Sequence, residues 1–329
     1  METNINTINW EEINLSQTEK GNLADSIVRR IKESGPFERP DDFDHISLTK
    51  LRESMNKETK SYTKTQVLLQ PVLVNQEIEV AIFKPETILS KKVLLFVHGG
   101  GFIGGNFYSY QHQLELLAEL SGAQIVALNY KLAPENPFPD GVNDVCCVYR
   151  WMLASSNDYG WDPNEIIFIG DSAGANLGLL ATFAYDEVEF SKIVNIYGAL
   201  DFEVSSGKRY DWNLDLYGIN KVHRELLENR FSKFNYTMNF AKEVYLKHPG
   251  DGDKQLLNID ISSKKLDILY IEAEFDYFRF SNRYFLEKIH PESKIDVITY
   301  FGMDHGFFER LGSCGEALDV IHRIGKYIK

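Results

Sequence analysis

The chain has 329 residues, 43% of them hydrophobic, enough for one large core and a smaller accessory element. Forty-eight acidic against thirty-five basic residues leave a formal charge of -13, which opposes binding to nucleic acid or to an anionic membrane. No apolar run approaches the ~18 residues of a transmembrane helix, and the opening METNINTINWEEIN has neither the basic start nor the apolar stretch of a signal peptide.

The first 60 residues read as an N-terminal cap segment. Ser16-Gln17-Thr18-Glu19 has the form of a capping box, and Leu23, Ile27 and Ile31 behind it fall on one helical face. Pro36 and Pro40 end that helix, and a second helical stretch begins near Ser47. Strands are then expected at Thr65–Leu69 and Glu77–Phe83, forming an antiparallel pair, and at Val93–Val97, whose all-apolar VLLFV suits a buried parallel strand.

Directly after that strand comes His98-Gly99-Gly100-Gly101-Phe102. Glycine-rich backbone can present N–H groups without bulk to an oxygen that becomes negative, so the amides of Gly100 and Gly101 are candidate oxyanion donors, with His98 bracing the loop. Gly99, Gly101 and Gly104 also satisfy G-x-G-x-x-G, the dinucleotide fingerprint. That fingerprint needs a helix opening at the glycines and an acidic residue about 20 residues on. The next strand, Ile125–Leu128, ends instead in Asn129, so no nicotinamide or flavin cofactor is expected.

Helical patterns follow at Gln111–Leu120 and Gly141–Ala154, and a strand at Ile166–Ile169 leads into Gly170-Asp171-Ser172-Ala173-Gly174. This fits G-x-S-x-G, in which a strand turns sharply into a helix and lifts the serine hydroxyl off the carboxyl edge of the sheet. The helix should run from Ala173 to about Tyr185, and its first amide makes the Ala173 N–H a third oxyanion donor. A strand is expected at Lys192–Ile196. The stretch from Glu203 to about Asn258 then carries Tyr210, Trp212, Tyr217, Phe231, Phe234, Tyr236, Phe240 and Tyr245, and reads as a cap over Ser172, its aromatics serving either the cap's own core or an apolar lid.

A serine hydroxyl needs a base within reach and a carboxylate to orient that base. The best base is His305, in a short loop after the strand-like Ile295–Phe301, while His248, His290 and His322 sit in polar or helix-end contexts. The acid should follow the preceding strand, DILYIEA over Asp267–Ala273, and Asp276 is chosen over Glu272, Glu274 and Asp304, the last being too close in sequence to reach the ring of His305. A helical pattern at Glu316–Ile328 ends the chain.

These motifs in this order resemble the hormone-sensitive-lipase-like family of α/β-hydrolase esterases. Asn129–Pro139 (NYKLAPENPFP) is similar to that family's D-Y-R-L-A-P-E-x-P-F-P stretch, with Asn129 in place of the usual Asp; Ala273 stands where Gly is common, and Phe278 where Leu is. The resemblance implies an α/β-hydrolase fold, an eight-stranded mostly parallel sheet with flanking helices and a helical cap. The core would take residues 61–202 and 263–329, with a cap insertion at 203–262. It also implies a carboxylic-ester hydrolase acting on short acyl chains without a cofactor or metal. An acyltransferase or a non-catalytic small-ligand receptor on the same fold are the alternatives. A small-molecule ester is the expected partner, with homo-oligomerisation left open. Three cysteines, Cys146, Cys147 and Cys314, an odd count with two adjacent, give no basis for structural disulfides and suggest a cytoplasmic protein.

Overall fold

A computed structural model describes residues 8–35, 47–56, 59–204 and 209–329. The described strands are β1 (Ile8–Ile13), β2 (Val67–Val74), β3 (Ile78–Pro85), β4 (Val93–Val97), β5 (Gln124–Leu128), β6 (Ile166–Asp171), β7 (Lys192–Ile196), β8 (Asp267–Phe275) and β9 (Lys294–Asp304). They form one sheet in the order β1-β9-β8-β7-β6-β4-β5-β3-β2. β2 and β3 pair antiparallel, as expected, and β3 is antiparallel to β5. From β5 outward through β1 every pair is parallel. The central strands β4, β5 and β6 are buried at every position, because helices cover both faces.

The helices are α1 (Asp25–Glu33), α2 (Leu48–Met55), α3 (Gln111–Ser121), α4 (Asp140–Ala154), α5 (Ser156–Tyr159), α6 (Ala173–Ala184), α7 (Lys221–Tyr245), α8 (Arg279–Lys288) and α9 (Gly315–Tyr327). α3, α4, α6 and α9 begin and end within two residues of where periodicity and turn residues place them.

Three expectations require correction. Among the described residues the sheet has nine strands rather than eight, because Ile8–Ile13 pairs in parallel with Ile295–Tyr300 on the outer side of β9. Residues 8–13 therefore belong to the sheet and not to an N-terminal cap. The capping box at Ser16 starts no helix: the Ser16 hydroxyl bonds that of Thr18, and the Asn14 side chain closes the turn by accepting from Thr18 N and donating to Thr18 O. α1 begins at Asp25 after Ala24, which lends no side-chain cap. The face read from Leu23, Ile27 and Ile31 is nevertheless the buried one. Pro36 and Pro40 lie outside the described residues, whereas Ser47 does cap α2, its hydroxyl accepting from Lys50 N.

α7, 25 residues long, reaches the carboxyl edge of the sheet, where its Phe234 ring lies against that of His305. The loop before α1 is pinned to its start: Asn220 N donates to Gly21 O at 2.7 Å, and Leu23 N donates to the ring of His223 at 3.0 Å.

Candidate active site

β6 ends at Asp171, and the next residue reverses direction into α6. Ser172 sits at φ 48° and ψ -117°, a conformation that costs a non-glycine residue about 1–3 kcal/mol. Neighbouring backbone holds it there: Ser172 N donates to Ile196 O at 3.0 Å and Ala199 N donates to Ser172 O at 2.9 Å. The turn also requires α6 to press against β4. A Cβ on Gly174 would stand 2.0 Å from the carbonyl oxygen of Val97, so only glycine fits.

Because β6, β8 and β9 run parallel, their carboxyl ends bring Ser172, Asp276 and His305 to one edge of the sheet. Ser172 Oγ lies 2.8 Å from His305 Nε2, and His305 Nδ1 lies 2.8 Å from Asp276 Oδ2. The second oxygen of Asp276 accepts Phe278 N at 2.6 Å, which fixes the carboxylate plane. Asp276 is fully buried, and Ser172 and His305 are 5% and 8% exposed, so the hydrogen-bond chain is shielded from bulk water. A carboxylate only accepts, so the bond to Asp276 calls for the proton on Nδ1 and leaves Nε2 facing the Ser172 hydroxyl as an acceptor.

The carboxylates not chosen as the acid are all engaged elsewhere. Glu272 accepts from Arg279, Arg283 and Thr299; Glu274 accepts from Gly21 N and Gly302 N; Asp304 is bound by Arg30, Arg230 and Arg310.

The glycine loop after β4 curls beside Ser172. Gly100 has φ 128°, and a Cβ there would come 2.0 Å from Gly104 O, so the curl demands glycine. No helix opens at these glycines; the loop runs through a short 3-10 turn to α3. The amides of Gly100, Gly101 and Ala173 donate to no group among the described residues, which leaves them available to an oxyanion. His98 braces the loop: its Nδ1 donates to Gly99 O at 2.7 Å and its ring stacks on Tyr130 with centroids 4.5 Å apart. Burial pushes its pKa down to about 4, so it is a neutral strut.

Several supports went unread in the sequence. Asp171 accepts from Gly99 N at 2.7 Å and from the Tyr110 hydroxyl at 2.9 Å, joining the glycine loop to the serine turn. Arg52, on α2, donates to Ile103 O at 2.6 Å and to Ala133 O at 3.0 Å, and pairs with Glu135. The Asp in GDSAG was a visible signal, since a buried acid beside a glycine loop finds amides to accept from; Arg52 offered none. Asn129 keeps its place without the family's charge: Oδ1 accepts from Phe107 N at 2.9 Å, and Nδ2 donates to Glu79 at 2.7 Å, a bond that an ionised aspartate could not make.

Aromatic rings cover the imidazole. Phe234 of α7 and Tyr197 each lie 4.8 Å from the His305 ring, and Phe278 lies 5.5 Å away. On the glycine-loop side Phe102 stacks on Tyr245 at 4.3 Å. Trp212, Tyr217, Phe231 and Tyr277 pack on one another instead. The aromatics of the segment after β7 thus divide between a core of their own and the roof of the site.

A mostly parallel sheet with a serine turn, a glycine loop and an imidazole at its carboxyl edge defines the α/β-hydrolase class. The family model described as alpha/beta hydrolase fold matches residues 94–309, and the chain belongs to that family, which includes the hormone-sensitive-lipase-like esterases. Among solved structures it is similar to an esterase of Pyrobaculum calidifontis, with 22% identity, TM-score 0.72, and coverage of 93% of this chain and 98% of that one. It is also similar to EstE1, a thermophilic carboxylesterase cloned from a metagenomic library (23% identity, TM-score 0.69, coverage 86% and 97%). A third is the ester-hydrolase EH1AB1 from the metagenome of Lake Arreo, complexed with a derivative of bipyridine phosphonate (20% identity, TM-score 0.74, coverage 93% and 98%).

Proposed function

We propose that the chain is a serine carboxylesterase that hydrolyses short-chain acyl esters through an acyl-Ser172 intermediate. The observation that carries this reading is the unbroken hydrogen-bond chain from Ser172 Oγ through His305 to Asp276. His305 Nε2 takes the serine proton as Oγ attacks the ester carbonyl, and the amides of Gly100, Gly101 and Ala173 receive the negative oxygen. The imidazolium, steadied by Asp276, then protonates the departing alcohol. Water, deprotonated by the same nitrogen, attacks the acyl-serine; its proton returns to Oγ as the acid leaves. No step draws on a metal or cofactor.

That structural neighbours include a carboxylesterase and an ester-hydrolase supports the reaction class. A preference for short acyl chains rests on the family resemblance. No helix among the described residues is long and apolar enough to cross a membrane. Three unpaired thiols support placing the protein in a reducing, cytoplasmic setting.

The test is hydrolysis of p-nitrophenyl esters from acetate upward, alongside labelling by a fluorophosphonate. Activity on acetate or butyrate that falls by at least about 10³-fold in Ser172→Ala is expected. A fully active Ser172→Ala enzyme refutes the mechanism, and a maximum at twelve carbons or longer refutes the short-chain assignment.

A further inference from the structure

Asp304 immediately precedes His305, yet its side chain turns away from the imidazole into a cluster of three arginines. Arg30 of α1 donates to Oδ2, Arg230 Nε of α7 donates to the same oxygen at 3.0 Å, and Arg310, in the turn after β9, donates from Nη2 to Oδ1 at 2.9 Å. The same Arg310 nitrogen reaches His305 O at 2.9 Å. The carboxylate is 1% exposed and the Arg310 and Arg230 side chains 12% and 19%, so these bonds form where water competes little. Each guanidinium comes from a different segment: the N-terminal helix, the helix over the site, and the loop of the base.

Arg230 also lies over the ring of Phe234, 5.6 Å from its centroid, and that ring rests on His305. The imidazole is thus gripped twice: at its main chain through Arg310 and at its face through the Arg230–Phe234 pair.

We propose that Asp304 is a positioning residue that ties α1 and α7 to the loop of His305, so that closing the cover and aiming the imidazole are a single event. Its kinetic consequence rests on the esterase reading. One carboxylate facing three guanidinium groups does more than stabilise a surface. Losing one arginine still leaves Asp304 paired but lets one segment move, whereas losing Asp304 would strand three partly buried charges at once.

The experiment therefore removes arginines. Arg230→Met, Arg30→Met, the double variant and Arg230→Lys are compared with the parent. The readouts are kcat and KM on p-nitrophenyl butyrate, the rate of fluorophosphonate labelling, and proteinase K cleavage within residues 203–262. Misaiming a base by an ångström costs up to about 100-fold, so Arg230→Met should lose about 10- to 100-fold in kcat and in labelling rate. KM should stay within about threefold, cleavage should be faster, and Arg230→Lys should recover most of the loss. Values of kcat and labelling within about twofold of the parent for the double variant overturn the proposal, as do losses that only follow the unfolded fraction seen by circular dichroism. Should the parent neither hydrolyse esters nor label, the esterase reading fails and cleavage alone decides the tie: an unchanged rate in the double variant overturns it.

Discussion

Replacing Asp276 with asparagine removes a charge but almost no volume, and its effect can be worked from two hydrogen bonds. In the native protein one carboxylate oxygen accepts Phe278 N at 2.6 Å and the other faces His305 Nδ1 at 2.8 Å. An amide can satisfy Phe278 only with its oxygen, which turns its NH2 toward Nδ1. The imidazole must then accept at Nδ1 and carry its proton on Nε2, 2.8 Å from the Ser172 hydroxyl it should deprotonate. In a serine triad this wrong tautomer costs about 10⁴-fold in kcat, or about 5 kcal/mol of transition-state stabilisation. The assay is steady-state hydrolysis of p-nitrophenyl butyrate with thermal unfolding measured in parallel. Asp276→Asn should retain its fold while losing nearly all turnover. Activity above about a tenth of the parent would refute the tautomer argument and, with it, the role given to Asp276.

Two further substitutions test the surroundings. His98 is fully buried with its pKa pushed down to about 4, so between the ordinary value of 6.5 and 4 the unfolded chain binds a proton that the folded chain refuses, and stability falls as pH falls. The loss should reach about 3 kcal/mol at the bottom of that window; denaturant titrations of the parent and of His98→Asn, which keeps a donor for Gly99 O, should diverge between pH 6.5 and 4, and parallel curves would show that His98 is not the source. Asn129→Asp restores the family's residue but sets a carboxylate against Glu79, in place of a 2.7 Å hydrogen bond. It should destabilise by about 1–3 kcal/mol, and adding Glu79→Gln should recover most of that. Equal stability of Asn129→Asp and the parent in thermal unfolding would remove the explanation given for the departure at this position.

The parts of the site that were legible in the sequence are those where local chemistry and position coincide. Ser172 announced itself because a strand-to-helix reversal needs Gly170 and Gly174 on either side. His305 and Asp276 each follow an apolar strand by a residue or a few, where parallel strands deliver their chemistry. The central strands could be read because helices on both faces require unbroken apolar runs. β1 could not: as an edge strand it is buried only at Ile13, and INWEEI has no clean alternation. The start of α1 was misplaced because the hydroxyl of Ser16 spends itself on Thr18. Asp304 sits too close in sequence to reach the ring of His305, but its partners Arg30 and Arg230 stand 274 and 74 residues away, and no periodicity foretells such meetings.

The pairing of β1 with β9 has a consequence for how the molecule is assembled. Asn9 and Asp296, hydrogen-bonded neighbours across that ladder, are separated by 287 positions. On the ribosome β1 therefore emerges with nothing to zip against until the stretch 287 positions further on has been made, and closing so distant a contact is intrinsically slow. Until that pairing closes, the strand that ends at the imidazole presents bare amides and carbonyls to any passing β-segment, a ready seed for clumping. Residues 8–13 thus act as a late-fitted guard rail.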